Sequence, residues 1–191
     1  MNKQKLKLSD LVVVTSNANK IAEINEILGT NHQVSHLDVP EIQSLDLDKV
    51  IAAKAKAAYD KIKKPVLVTD VSLEIEKLKG LPGTFVKFFL ETLGTTGTVR
   101  LLGKGIHKAK ATDAVAIYDG KNLKIFKGTI EGTLANDDRG EAGFGFDKVF
   151  IPNGNSKTWS ELSVDEKNKI SHRAKALKKL KEYLDPESSS G

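Results

Sequence analysis

The sequence predicts an α/β fold, and three observations predict it. A short apolar run, Leu11-Val12-Val13-Val14, passes through Thr15-Ser16-Asn17 into apolar residues at helical spacing. A second helical pattern stops before Pro65 and yields to Val66-Leu67-Val68. Further on, two extended runs meet at Asp119-Gly120, a hairpin signature.

The elements follow in order. Leu11–Val14 reads as a buried strand, and Ile21, Ile24, Ile27 and Leu28 as the inner stripe of a helix that stops at Gly29. Leu47, Val50, Ile51, Ala55, Ala58 and Ile62 mark the second helix. The strand Val66–Val68 places Asp70 at its carboxyl end. Lys79-Gly80-Leu81-Pro82-Gly83 is a turn, and Phe85, Phe88, Phe89 and Leu93 predict a helix closed by Gly94. Ala114–Tyr118 and Leu123–Ile130 form the hairpin, followed by a glycine-rich loop from Gly140 to Gly145. Lys148-Val149-Phe150-Ile151 reads as one more strand before Pro152. Ser163-Val164-Asp165-Glu166 is a capping box that opens the last helical segment, with a break near Ser171, whose hydroxyl can cap a new start.

At 191 residues the chain is long enough for one domain, read as residues 1–184, with no repeat and no linker. Residues 185–191 are expected to be a disordered tail, since Pro186 to Gly191 carries no apolar side chain. The chain contains no cysteine, which excludes disulfides, a thiol nucleophile and thiolate metal sites. Oxygen ligands and four histidines remain, pointing to Mg²⁺ or Mn²⁺ for any metal. No apolar stretch approaches a membrane span and no apolar region follows the basic N-terminus, so the expected setting is cytoplasmic, with no membrane partner. A net charge of +5 favours anionic partners. Aromatics make up only 6% and lie mostly away from the lysine runs, so a small anionic ligand fits better than nucleic acid.

Four clusters carry candidate chemistry. Thr15-Ser16-Asn17-Ala18-Asn19-Lys20 sits between strand and helix, where amides and the helix dipole favour a phosphate; alternatively Ser16 or Asn17 only caps the helix. Asp70, beyond a strand end, can hold a divalent cation or activate water, and Glu41 can complete a carboxylate pair. Otherwise Asp70 forms a turn and Glu41 is a surface residue after Pro40. In Gly143-Phe144-Gly145-Phe146-Asp147 the glycines allow close approach and the phenylalanines offer stacking faces, or plug the core. Lys167, Asn168, Ser171, His172 and Arg173 gather cations and hydrogen-bonding groups at the helix break. His32, His36 and His107 have no spaced partners and read as surface residues.

In this order the clusters resemble the inosine triphosphate pyrophosphatase family, house-cleaning enzymes that hydrolyse non-standard purine nucleoside triphosphates. The resemblance runs from about Leu11 to Leu184. It rests on Thr15-x-Asn17-x-x-Lys20, Leu37-Asp38-Val39-Pro40-Glu41, Asp70-x-Ser72-Leu73 with Gly80-Leu81-Pro82-Gly83, Gly143 to Asp147, and Glu166-Lys167-Asn168 before Ser171-His172-Arg173. It implies an elongated, two-lobed α/β fold with a long twisted mixed sheet, a nucleotide cleft between the lobes, and a homodimer. It also implies that Thr15 to Lys20 cradle the triphosphate, with Lys54 and Lys87 as further phosphate contacts. Glu41 and Asp70 would bind Mg²⁺, and Asp70 would orient or deprotonate the attacking water. Val71 would line the substrate site. Phe144 would lie against the base with Gly145 and Phe146 beside it, while Asp147, Lys167, His172 and Arg173 would line the base pocket and read its 6-oxo edge. The products would be a nucleoside monophosphate and pyrophosphate.

Three residues depart from the family pattern. Thr69 stands where a carboxylate usually precedes the catalytic Asp, Val71 replaces a small or polar residue, and Lys148 replaces a proline. Thr69 leaves one negative charge fewer for the metal and keeps a second reading open, a nucleotide-binding module with little or no turnover. A third, a basic RNA-binding protein, rests on the pI of about 9.2 alone.

Overall fold

A computed structural model describes residues 6–185, so Pro186 to Gly191 of the expected tail lie outside the described residues. In chain order the elements are β1 (Val12–Val14), α1 (Ala18–Leu28), β2 (Gln33–Ser35), α2 (Leu47–Ile62), β3 (Val66–Ile75), β4 (Pro82–Gly83), α3 (Val86–Arg100), β5 (His107–Tyr118), β6 (Leu123–Leu134), β7 (Phe150–Pro152), α4 (Val164–Ile170) and α5 (His172–Leu184). The strands form one open mixed sheet in the order β2-β1-β3-β5-β6-β7, with β4 pairing β3 off this path. β1 runs parallel to β2 and β3, and every other pair is antiparallel. Among the described residues no helix is long and apolar enough to cross a membrane.

Period-two alternation sorts the strand residues onto two faces. Val12, Val14, Val66, Val68, Ala114 and Ala116 pack against Ile51, Ala55 and Ala58 of α2. The opposite face, with Val13, Leu67, Val115 and Ile117, packs against Ile24 and Leu28 of α1 and Ala176, Leu177 and Leu180 of α5. Further along this same face, Leu73, Ile75, Ala109, Ala111 and Ile130 join Val86 and Val99 of α3 and the aromatics Phe146, Phe150 and Trp159. Two apolar clusters thus occupy the two ends of one face, giving a lobe at each end of the long β3–β5–β6 ribbon. Between them, in register, lie Thr69 and Val71 of β3 and Asp113 of β5.

Several expectations need correction. β3 does not end before Asp70; it continues to Ile75, so Asp70 lies in mid-strand. After Val68 the strand alternates polar and apolar residues instead of remaining uniformly apolar, because it moves from a doubly covered position to a half-open one. β1 pairs with β3 only at Val66 and Leu67, and β4 only at Leu73 and Glu74. The intervening edge of β3 is therefore open, and that opening is where the cavity forms. The helix expected to close at Gly94 does break there, with Gly94 at φ 69°, but helix resumes to Arg100. His32 and His107 are buried, not surface residues, while His36 is exposed. Nδ1 of His32 lies 2.8 Å from the Thr30 hydroxyl, and Nε2 of His107 lies 2.8 Å from the Gly103 carbonyl, so each ring has a polar neighbour inside the protein.

Candidate active site

Local sequence places each functional group. Asn17 is the N-cap of α1, its side chain accepting from the amides of Asn19 and Lys20, and the Thr15 hydroxyl accepts from the Asn17 amide. These side chains therefore already use three of the amides expected to greet a phosphate. Ala18 and Asn19 lie in the first turn of α1 and are exposed. They do not line the cavity, whereas Thr15, Ser16, Asn17 and Lys20 do. Helix α2 carries Lys54 on its buried stripe beside Val50, Ile51, Ala55 and Ala58, so the ammonium is delivered to β3. Its Nζ lies 2.6 Å from Glu41 Oε1 and 3.3 Å from Asp70 Oδ2, and donates to the Thr69 carbonyl at 3.2 Å. Asp70 Oδ1 accepts from the Val71 amide at 2.8 Å.

At the other end, Ser171 ends α4 and caps α5, its hydroxyl accepting from the Ala174 amide. The expected break is real, and it places His172 and Arg173 at the first turn of α5. Gly128 makes that position reachable: a Cβ there would overlap the His172 carbonyl, so only glycine lets α5 lie this close to β6. Gly143 adopts φ +80°, where a side chain would meet the Asp147 carboxylate. Asp147 Oδ2 accepts from the Phe144 amide at 2.8 Å and pairs with Lys167 Nζ at 2.5 Å, tying the loop to α4. Lys167 also pairs with Glu23 at 2.7 Å and lies 4.8 Å from the Phe144 ring centre. Arg173 pairs with Glu23 and with Asp113, the latter at 2.9 Å from Nη2. His172 stacks on Trp159 with ring centres 4.7 Å apart.

Most of these groups line one cavity of about 330 Å³, within the range of small-molecule sites, while Glu23, Asp113, Trp159 and Ser171 lie outside its lining. Of the expected residues, Thr15, Ser16, Asn17, Lys20, Glu41, Lys54, Asp70, Val71, Lys87, Phe144, Gly145, Phe146, Asp147, Lys167, His172 and Arg173 line it. Phe146 is mainly a core residue, with its ring 5.9 Å from that of Trp159. α3 contributes Val86, Phe88, Leu90 and Glu91, of which the sequence marked only Phe88, and that as part of a helical pattern. Glu23 and Asp113 were missed as well. Their signal was a carboxylate inside an apolar pattern, beside Ile24 in one case and Ala114-Val115 in the other.

Electrostatics divide the cavity. Burial lowers the Lys20 pKa from 10.5 to about 8, with Asp70 opposing that fall and Lys54 and Arg173 adding to it. Burial also works against the Lys54 ammonium, but Asp70 and Glu41 outweigh it and hold its pKa above the ordinary lysine value. His172 is pushed well below the usual histidine range, first by burial and then by Arg173 and Lys167, so its imidazole is neutral. Nδ1 of His172 and Nε of Arg173 are buried without a hydrogen-bond partner among the described residues. Among those residues no three His, Asp or Glu side chains cluster as a metal cage. Glu41 and Asp70, both hard oxygen donors held on one ammonium, suit a cation that takes one or two carboxylates and completes its shell with water and phosphate. Thr69 turns its hydroxyl away from this pair to Asp113 Oδ1, at 2.5 Å.

The chain is 42% identical over 183 residues to the inosine triphosphate pyrophosphatase of Yarrowia lipolytica, covering 91% of this chain and 95% of that one. It is 39% identical over 178 residues to the dITP/XTP pyrophosphatase of Saccharolobus solfataricus, covering 91% and 92%. Among solved structures, a HAM1 protein from Coxiella burnetii superposes with a TM-score of 0.76 at 26% identity, over 92% of this chain and 99% of that one. The Ham1 family profile matches residues 11–183, and the chain belongs to the Ham1 family.

Proposed function

We propose that this protein hydrolyses non-canonical purine nucleoside triphosphates, ITP, dITP and XTP, to the nucleoside monophosphate and pyrophosphate. The observation that carries the proposal is a single cavity with lysines and paired carboxylates at one end and an aromatic face with unpartnered polar groups at the other. The names of the relatives, dITP/XTP pyrophosphatase and inosine triphosphate pyrophosphatase, support it.

In this reading Thr15, Ser16, Asn17, Lys20, Lys54 and Lys87 receive the triphosphate, and their charge offsets what accumulates on the phosphate oxygens as the α–β bridge breaks. Asp70 orients the attacking water and takes its proton. Mg²⁺, or Mn²⁺ in its place, would be held by Glu41 and Asp70 and would neutralise phosphate charge. In this reading Thr69, whose hydroxyl turns to Asp113, takes no part in holding the ion. Phe144 lies against the base while Arg173, His172 and Lys167 face its edge. A 6-oxo group accepts from these donors. Adenine presents its own donor there and leaves buried groups unpaired, which discriminates against ATP. The resemblance adds a homodimer in the cytoplasm to this reading.

The test is product analysis. With dITP and Mg²⁺ the protein is expected to release dIMP and pyrophosphate in equal amounts, and to lose turnover when EDTA removes the divalent ion. Tight binding of dITP with no release would favour the module reading, and orthophosphate as product would overturn the assigned bond.

A further inference from the structure

On the sheet face between the two apolar clusters, β3 presents Leu67, Thr69, Val71 and Leu73, and β5 presents Ala111, Asp113 and Val115. Asp113 is the one acid in this row and has no exposure to solvent. Burial pushes its carboxyl up, against the pull of Arg173 and Lys20, so keeping a charge here opposes folding. A buried pair of this kind is often replaceable by apolar side chains without loss of stability, so its presence in a row of alanine, valine and leucine calls for another reason. Its contacts supply one. Oδ1 accepts the Thr69 hydroxyl at 2.5 Å, which fixes the carboxylate plane, and Oδ2 lies 2.9 Å from Arg173 Nη2. Glu23 of α1 takes Nη1. Nη1 donates a hydrogen bond to Glu23 while Asp113 contributes an ion pair at Nη2, so carboxylates from two different elements flank two of the three guanidinium nitrogens and together hold the Arg173 side chain in place.

We propose that Asp113, aimed by the hydroxyl of Thr69, is a positioning residue that sets the orientation of Arg173 and through it the preference for a 6-oxo purine. The proposal rests on the reading of the cavity as a purine triphosphate site. Thr69 and Asp113 act as one unit: a neutral strand residue holds a charged one on the neighbouring strand. The geometry also allows the charge to be moved. The Thr69 hydroxyl oxygen lies one hydrogen bond from Asp113 Oδ1, and a glutamate at position 69 carries its carboxylate oxygens two bonds further from the backbone, into the space that Asp113 now fills.

The experiment compares wild type, Asp113→Asn, Asp113→Ala, Thr69→Val and the double variant Thr69→Glu/Asp113→Ala. It measures kcat and KM for dITP and ATP, and inhibition by inorganic tripolyphosphate as a report on the phosphate end alone. In Asp113→Asn and Asp113→Ala the ratio of dITP to ATP kcat/KM is expected to fall about tenfold or more, while tripolyphosphate inhibition holds. The double variant is expected to recover most of that ratio, which a merely structural role would not produce. Thr69→Val keeps the charge and is expected to lower the ratio by a smaller factor, and it stands as the test should both Asp113 variants fail to fold. An unchanged ratio in folded Asp113→Asn or Thr69→Val, or equal losses on dITP, ATP and tripolyphosphate, would overturn the proposal. A wild type with no preference for dITP would defeat the functional reading and this inference with it, whereas a preference retained in the variants defeats this inference alone.

Discussion

Lys20 offers a sharp prediction because its cost and its use lie in different states of the protein. In the free protein burial has lowered its pKa from 10.5 to about 8, so the folded state holds the ammonium less favourably than the unfolded chain does. That difference corresponds to about 3 kcal/mol, and because the side chain is only partly buried, solvent screening trims it to about 1–2 kcal/mol. Below pH 8 both states carry the proton and the penalty is present in full. Between pH 8 and 10.5 the unfolded state binds more protons, so wild-type stability gains with rising pH and the penalty fades. Lys20→Met is therefore expected to be more stable than wild type by about 1–2 kcal/mol at pH 7, with the gap closing towards pH 10.5. The same variant is expected to raise KM for dITP about tenfold or more, since the proposed charged contact to phosphate is lost. Urea unfolding at pH 7 and pH 10, with steady-state kinetics at pH 7, checks both halves. A variant less stable than wild type at pH 7, or one with an unchanged KM, would refute the reasoning.

Asp70→Asn is expected to keep the fold and lose several orders of magnitude in kcat, because a neutral amide can neither take a proton from water nor supply charge to a cation; circular dichroism and pyrophosphate release check this together. Arg173→Ala should lower kcat/KM for dITP far more than for ATP, by the roughly 1.5–3 kcal/mol of a charged hydrogen bond, whereas equal losses would place Arg173 on the phosphates. Gly128→Ala, which puts a methyl against the His172 carbonyl, should cost about 1–3 kcal/mol of stability and weaken dITP turnover by moving the first turn of α5, measured by thermal unfolding and kinetics. Above pH 8, loss of the Lys20 charge should raise KM for dITP in wild type, a rise that Lys20→Met should not show.

Much of this architecture was legible along the chain because its signals are local. Asn17 does cap α1, the Ser163 and Glu166 box does open α4, and the Ser171 hydroxyl does start α5. The hairpin turned where Asp119-Gly120 indicated. What could not be read were properties of the sheet. The open edge of β3 beside Asp70 exists only because β1 stops pairing after Leu67, and no residue near Asp70 announces it. β2 depends on its partner, since Gln33-Val34-Ser35 has no apolar pattern of its own. The pairing of Glu23 with Arg173 and Lys167 joins residues 150 and 144 positions apart in the chain. The resemblance assigns Lys54 to phosphate, yet in the free protein it bridges Glu41 and Asp70, a carboxylate pair that no spacing in the sequence pairs. Thr69 reads in the sequence as one charge fewer beside Asp70; because strand residues alternate, its hydroxyl faces Asp113 on the opposite side of β3 from Asp70, a direction that only the sheet defines.

The central claim is that one cavity reads a 6-oxo purine at one end while its charges act on the triphosphate at the other. The most direct measurement is the ratio of kcat/KM for dITP to that for ATP in the wild-type protein with saturating Mg²⁺, scored by pyrophosphate release. The account predicts a preference for dITP of at least about a hundredfold, since ATP leaves buried donors facing a donor. Comparable values for the two nucleotides would contradict it.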